Sequence, residues 1–230
     1  MTRHTTSKCF VTLGVTLLLA ALAPAPGAFA ASAYTITDFG AGSEAYDINE
    51  SGQVVGRNGP IATFGSNAFL YSNGTMLDLG ARGGNFGSTA YGLNNLGQVV
   101  GFYYDPTDDD NSHPFFYDGT TMHDISGSPS FGEANGINDN GQIVGGIDFD
   151  FSAGPSPFLY NANTSTMDIL PGIPPAVSNA PVINQHGLNV VNQYDAPVDK
   201  SRATLFDGLT EIRELGFIPG GGAFIQDINN

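Results

Sequence analysis

Beyond residue 30 the chain reads as short apolar runs separated by polar turn residues, and the pattern returns at a fixed interval. The stretch Ala45–Gly56 (AYDINESGQVVG) recurs as Ala90–Gly101 (AYGLNNLGQVVG) and as Ala134–Gly145 (ANGINDNGQIVG). A weaker copy spans Ala180–Val191 (APVINQHGLNVV), and Asp227-Ile228-Asn229 begins a fifth. With the asparagine as marker, positions 49, 94, 138, 184 and 229 are spaced by 45, 44, 46 and 45 residues. Such a period is the signature of a repeat architecture.

Each unit has a second half. Ala68-Phe69-Leu70-Tyr71, a turn at Asn73-Gly74, and Met76 to Gly80 return as Pro114 to Tyr117, Asp118-Gly119, and Met122 to Ile125. Pro157 to Tyr160 with Met167 to Ile169, and Ala203 to Phe206 with Asp207-Gly208 and Ile212 to Gly216, complete the series. Asn-Gly and Asp-Gly favour the hairpin turn that needs positive φ at both central residues. Every unit therefore predicts four short strands, at approximately 45–80, 90–125, 134–169 and 180–216. A run of 40–50 residues holding four strands matches one β-propeller blade. The predicted fold class is all-β, a β-propeller-like array within a single domain over 31–230; the alternative is an open β-solenoid-like stack. Residues 34–40 resemble a fourth strand and 223–230 a first strand. Paired, they would make half a blade that fastens a ring; ending on Asn229-Asn230 instead favours a truncated array, since a hairpin is left with one arm.

Residues 1–30 have a different pattern. Arg3 and Lys8 precede an apolar run from Phe10 to Leu22, and Ala28-Phe29-Ala30 supplies a small-x-small end. That arrangement predicts a cleaved secretory signal peptide and a secreted, extracellular product, because the apolar run is short for a membrane span. Cleavage removes Cys9, the only cysteine, so neither a disulfide nor thiolate chemistry is expected.

Composition narrows the function classes. Glycine (31) and proline (14) are too dense for a helical bundle. Seven basic residues against 22 acidic ones give a formal charge of −15. Without the leader, Arg57, Arg82, Lys200, Arg202 and Arg213 remain against all 22 acids, a formal −17. A nucleic-acid partner or an anionic membrane surface needs clustered cations that are missing here, and no membrane insertion is expected after cleavage.

Candidate chemistry can be tested against the repeats themselves. Asp47-x-Asn49-x-Ser51-Gly52 looks like a calcium loop. Its Asp47 position, however, is Gly92, Gly136 and Val182 elsewhere, and its Ser51 position is Leu96, Asn140 and His186. Only the pairs Asn49/Gly52, Asn94/Gly97, Asn138/Gly141 and Asn184/Gly187 persist, which suits a structural turn. Asp38, Asp78, Asp124, Asp168 and Glu214 recur once per unit, as strand-end hydrogen-bond acceptors would. The acidic run Asp105, Asp108, Asp109 and Asp110 occurs once, in a variable loop; it is either a solvated loop or a surface calcium site. Asp148 and Asp150 lie in the corresponding loop of the next unit. His113, His123 and His186 lack metal-ligand spacing. The Phe69, Phe115 and Phe158 column, with Tyr71, Tyr117 and Tyr160, repeats at blade spacing and reads as core rather than as a sugar-stacking platform.

Asn67-Ala68-Phe69, His113-Pro114-Phe115 and the Asn-x-x-Gly-Gln-Val/Ile-Val-Gly segments resemble the bacterial extracellular HAF repeat family, over about residues 34–230. No unit carries the full His-Ala-Phe triplet, and the fourth has lost Gly-Gln and the Phe. The resemblance implies an exported propeller-like protein with no defined activity or cofactor. The expected function is thus non-enzymatic binding or scaffolding of an extracellular glycan or protein, through variable loops at 57–67, 102–113, 146–156 and 192–202. The alternatives are a carbohydrate-active hydrolase or lyase using Asp105, Asp108, Asp110, Asp148 and Asp150, or a remnant of a longer repeat protein.

Overall fold

The structure, a computed structural model, describes residues 36–59, 66–80, 87–105, 111–127, 131–149, 154–174, 178–195, 200–216 and 225–230. The leader predicted at 1–30 lies outside the described residues, as do Asp108, Asp109, Asp110 and Asp150. Sixteen strands are described, in four antiparallel sheets of four, each a simple meander. The first comprises β1 (Glu44–Ile48), β2 (Val54–Asn58), β3 (Asn67–Ser72) and β4 (Thr75–Gly80). The second comprises β5 (Ser88–Leu93), β6 (Val99–Asp105), β7 (Asn111–Tyr117) and β8 (Met122–Asp124). β9 (Phe131–Ile137), β10 (Gln142–Asp148), β11 (Ser156–Asn161) and β12 (Thr166–Ile169) form the third. β13 (Ser178–Ile183), β14 (Leu188–Asp195), β15 (Lys200–Asp207) and β16 (Thr210–Gly216) form the fourth.

Gln-Val-Val-Gly explains why the sheets stack. Adjacent residues of a strand point to opposite faces, so Val54 and Val55 serve different interfaces. Val55 joins Ala68, Leu70, Val99, Tyr103 and Phe115 in the core between sheets one and two. Val54 packs with Ala45 and Phe69 on the other face, where Phe39 of the preceding segment covers them. Val100, Phe116 and Ile125 then meet Ile143, Ile147 and Phe158 between sheets two and three. Leu170, Ile173, Val191 and Phe206 continue the series between sheets three and four. A blade alone would expose both faces; each buried Val or Phe contributes about 1.5–3 kcal/mol only once a neighbour arrives.

The inner ends of the units are bound by a ladder of asparagines. Asn138 is fully buried, and its Oδ1 accepts the N–H groups of Asn140 and Gln142, at 3.1 Å each. Its Nδ2 donates to Gln142 Oε1 at 2.8 Å and to the Asn184 carbonyl of the next unit at 3.1 Å. Asn49 reaches the Asn94 carbonyl, Asn94 that of Asn138, and Asn184 that of Asn229 in the same way. The turns close at Gly52, Gly97, Gly141 and Gly187, with φ of 73°, 77°, 74° and 84°, a region that favours glycine.

Ile48, Leu93, Ile137, Ile183 and Ile228, one from each repeat, line a single cavity of about 340 Å³. The arrangement is therefore radial around an axis, not a linear stack. Residues 225–230 take the fifth spoke: Asn192 is bonded both ways to the Ile225 backbone, at 2.8 and 2.9 Å, and Gln185 N–H donates to Asn230 Oδ1 at 2.8 Å. Among the described residues, no helix is long and apolar enough to cross a membrane.

Strands run further than the variable loops predicted for the sequence. β6 continues through Phe102, Tyr103 and Tyr104 to Asp105, and β10 continues to Asp148. Paired apolar residues opposite Ser112, His113 and Pro114, and opposite Ser156 and Pro157, extend these ladders. Asp105 and Asp148 consequently sit on strands.

Candidate functional site

Of the predicted loop acids, Asp105 and Asp148 lie within the described residues. Asp105 pairs with Asn111 at the tip of the β6–β7 hairpin. Asp148 is 4% exposed, and its Oδ2 accepts Gly154 N–H at 2.8 Å, which closes the loop between β10 and β11. Among the described residues, no group of three or more His, Cys, Asp or Glu side chains is placed to hold a metal ion. The acids that recur once per unit act locally. Oδ1 of Asp38, Asp78 and Asp124 accepts the N–H two residues ahead, at 2.8, 2.7 and 2.8 Å, and Glu214 meets Arg202 at 3.4 Å.

One network, in which Tyr103, His113 and Ser126 are buried and Asp124 is exposed, contains the residue types of a catalytic triad. The Tyr103 hydroxyl donates to Asp124 Oδ2 at 2.9 Å, Ser126 Oγ donates to Asp124 Oδ1 at 2.6 Å, and His113 Nδ1 lies 3.2 Å from Ser126 Oγ. The order is acid–hydroxyl–imidazole, whereas nucleophile activation needs the imidazole between acid and hydroxyl. The Ser126 proton is already committed to Asp124. With the His113 ring stacked on Tyr103 at 5.4 Å, this is a bracket inside unit two.

A second titratable pair, Asp118 and His123, faces solvent. His123 Nε2 lies 2.7 Å from Asp118 Oδ2, and this hydrogen bond, with those from Thr120 and Thr121, holds the Asp118 carboxyl well below the usual range. The pair flanks a cleft of about 590 Å³ that Phe116, Tyr160 and Asn163 also line.

The densest chemistry lies where the inner strands of units one to three begin. Tyr46 and Tyr91 are the residues skipped in the β1–β2 and β5–β6 registers, opposite Gly56 and Gly101. Such bulges re-aim a side chain. The two rings meet edge to face at 5.3 Å; Tyr91 contacts Phe102 at 5.6 Å, and Phe102 contacts Tyr104 at 5.3 Å. The row is buried at its middle (Phe102, 8% exposed) and open at its ends (Tyr46, 38%; Tyr104, 36%). Carboxylates flank it. The Tyr46 hydroxyl donates to Glu44, whose carboxyl also pairs with Arg57 Nη2 at 3.1 Å. The Tyr46 bond and then Arg57 hold Glu44 below its ordinary range. Burial pushes Glu133 up, and burial with the nearby Glu133 charge pushes the Tyr91 phenol far above its usual value.

Among solved structures, the chain is similar to a TolB-designated protein from Agrobacterium tumefaciens, with a TM-score of 0.60 at 14% identity, covering 86% of this chain and 75% of that one. TolB from Acinetobacter baumannii aligns at a TM-score of 0.50 and 10% identity, over 72% of this chain and 41% of that chain. The fold is β-propeller-like. At these identities the likeness concerns the fold alone. No family model matches the chain, and no curated protein matches it.

The sequence motifs point to the Phe69, Phe115 and Phe158 column and not to the face of this propeller that carries the aromatic row. That column is core: all three rings are fully buried. The signal for the exposed row is departure from the repeat. Tyr46 and Tyr91 become Asn135 and Pro181, and Phe102 replaces Arg57 and Gly146 at one register position.

Proposed function

We propose that this chain is an exported, non-enzymatic propeller that binds saccharide at the face bearing Tyr46, Tyr91, Phe102 and Tyr104. The observation that carries the reading is the continuous row of four rings, open at both ends and flanked by Glu44 and Glu133. Aromatic faces stack against the C–H face of a pyranose, and carboxylates accept its hydroxyls. The exported location rests on the leader pattern at 1–30 and on the likeness to HAF repeats.

A glycan array followed by titration calorimetry on the purified protein tests the binding role. Tyr104→Ala and Tyr46→Ala should each weaken binding about tenfold, in line with the roughly 1–3 kcal/mol of a lost stacking contact, while the melting temperature stays within a few degrees. Unaltered affinity in both variants would remove the row from the site. Mass spectrometry of the N-terminus of the exported product tests the leader, with Ala31 expected as its first residue.

A further inference from the structure

The repeats allow one strand position to be compared between blades. In unit one, Glu44 pairs across the β1–β2 ladder with Arg57, and the two side chains form an ion pair at 3.1 Å. The matching pair in unit two is Thr89 with Phe102. In unit three it is Glu133 with Gly146. The acid has therefore returned without its cation. Beside Gly146 the space is not closed by backbone: a Cβ built there would meet only Pro155, at 3.3 Å from its Cβ.

Glu133 is half-buried, and burial alone acts on its carboxyl; no donor among the described residues approaches it. β5 packs on β9 here: a Cβ on Gly92 would stand 3.1 Å from Gly136 Cα and 3.2 Å from the Asn135 carbonyl, and this contact brings the Tyr91 phenol close enough to Glu133 to feel its charge. A half-buried carboxylate without a partner is costly, and the same fold shows in unit one which group relieves that cost.

We infer that Glu133 receives the ammonium group of the ligand, so that the saccharide bound at this face is an amino sugar, a glucosamine-containing oligosaccharide. The inference rests on the saccharide reading above and adds the charge. An ammonium beside Tyr91 gains a charge-assisted hydrogen bond from the acid and cation–π attraction from the ring. The pyranose that carries it packs on the open end of the row at Tyr46, whose ring meets Tyr91 at 5.3 Å, a stacking contact that one lysine side chain would not use.

Titration calorimetry with equal-length oligomers of glucosamine, N-acetylglucosamine and glucose, and with oligolysine, tests this. The glucosamine oligomer should bind at least about tenfold more tightly than the two neutral oligomers at low salt, and added salt should erode the difference. Glu133→Gln should abolish the preference, bringing the affinity of the glucosamine oligomer down to that of the neutral oligomers. Gly146→Lys, which restores a cation at the Arg57 position, should abolish it as well, with melting curves reporting that both variants fold. Equal binding of all three oligomers would overturn the inference and leave the saccharide reading standing. No binding of any oligomer would overturn both. Oligolysine binding as tightly as the glucosamine oligomer would overturn the amino-sugar class.

Discussion

The marker asparagine is the residue on which the most hydrogen bonds converge. Asn138 accepts two N–H groups through Oδ1 and donates twice through Nδ2. Aspartate could accept but not donate, and would set its charge against the carbonyl of Asn184 and the Oε1 of Gln142. Asn138→Ala should lower unfolding free energy by about 2–4 kcal/mol, from several buried groups left unpaired, and Asn138→Asp should cost at least as much. Urea titration with an unchanged m-value checks both. Glu133 gives a pH-dependent counterpart. Its folded-state pKa is raised above the ordinary 4.5, so the folded protein binds the proton more tightly than the unfolded chain. Stability from this group is then present at low pH and is lost as pH rises through the folded value. Glu133→Gln should raise the melting temperature at pH 7 and change it little at pH 4. An equal gain at both pH values would show that burial does not tax the ionised form.

Among the elements, the fourth unit shows how the bulged strand pair is built. In units one to three, Gly56, Gly101 and Gly145 face Phe69, Phe115 and Phe158. A Cβ on Gly145 would stand 2.1 Å from the Glu133 carbonyl and 2.6 Å from the Phe158 ring. In unit four the same register position holds Val191 opposite Thr204, both buried, and β13 skips two residues there where β9 skips one. The losses of Gly and Phe that weaken the fourth copy are thus one coupled exchange of a small and a large residue. Gly145→Ala should destabilise by about 1–3 kcal/mol or more, as overpacking does. Pairing it with Phe158→Ala should recover only part, because the carbonyl stays in place; a double-mutant cycle measures the share. The strands, turns and buried Phe column were legible in the sequence because each is stated three or four times. The aromatic row was not, because its position at Tyr46 and Tyr91 is kept in only two units and Phe102 and Tyr104 occur in one. The vacancy opposite Glu133 needs the register, which pairs it with Gly146 across a bulge that sequence spacing alone does not place.

At the scale of the whole molecule, the sequence period and the ladder are the same quantity: the cross-unit Asn contacts join residues 45, 44, 46 and 45 apart. Each blade buries its faces only against its neighbours, so stability should be local to the array, a sum of units and interfaces. The fifth spoke tests this. Residues 225–230 satisfy Asn184, Gln185 and Asn192 of unit four, while they meet unit one across the shared cavity, where Asp227 adds to the upward pressure that burial chiefly exerts on Asp47. Like charges at this meeting point oppose closure, whereas the hydrogen bonds favour docking on unit four. Deleting 225–230 should therefore lower hydrogen-exchange protection in β13 and β14 first and leave β1 to β4 protected. The Asp47 carboxyl, followed by NMR titration, should move down slightly yet stay raised, since burial is the larger cause. Equal loss of protection in β1 and β13 would mean that the segment stabilises the ring by joining its two ends, and the nearest-neighbour account would then fail for this propeller.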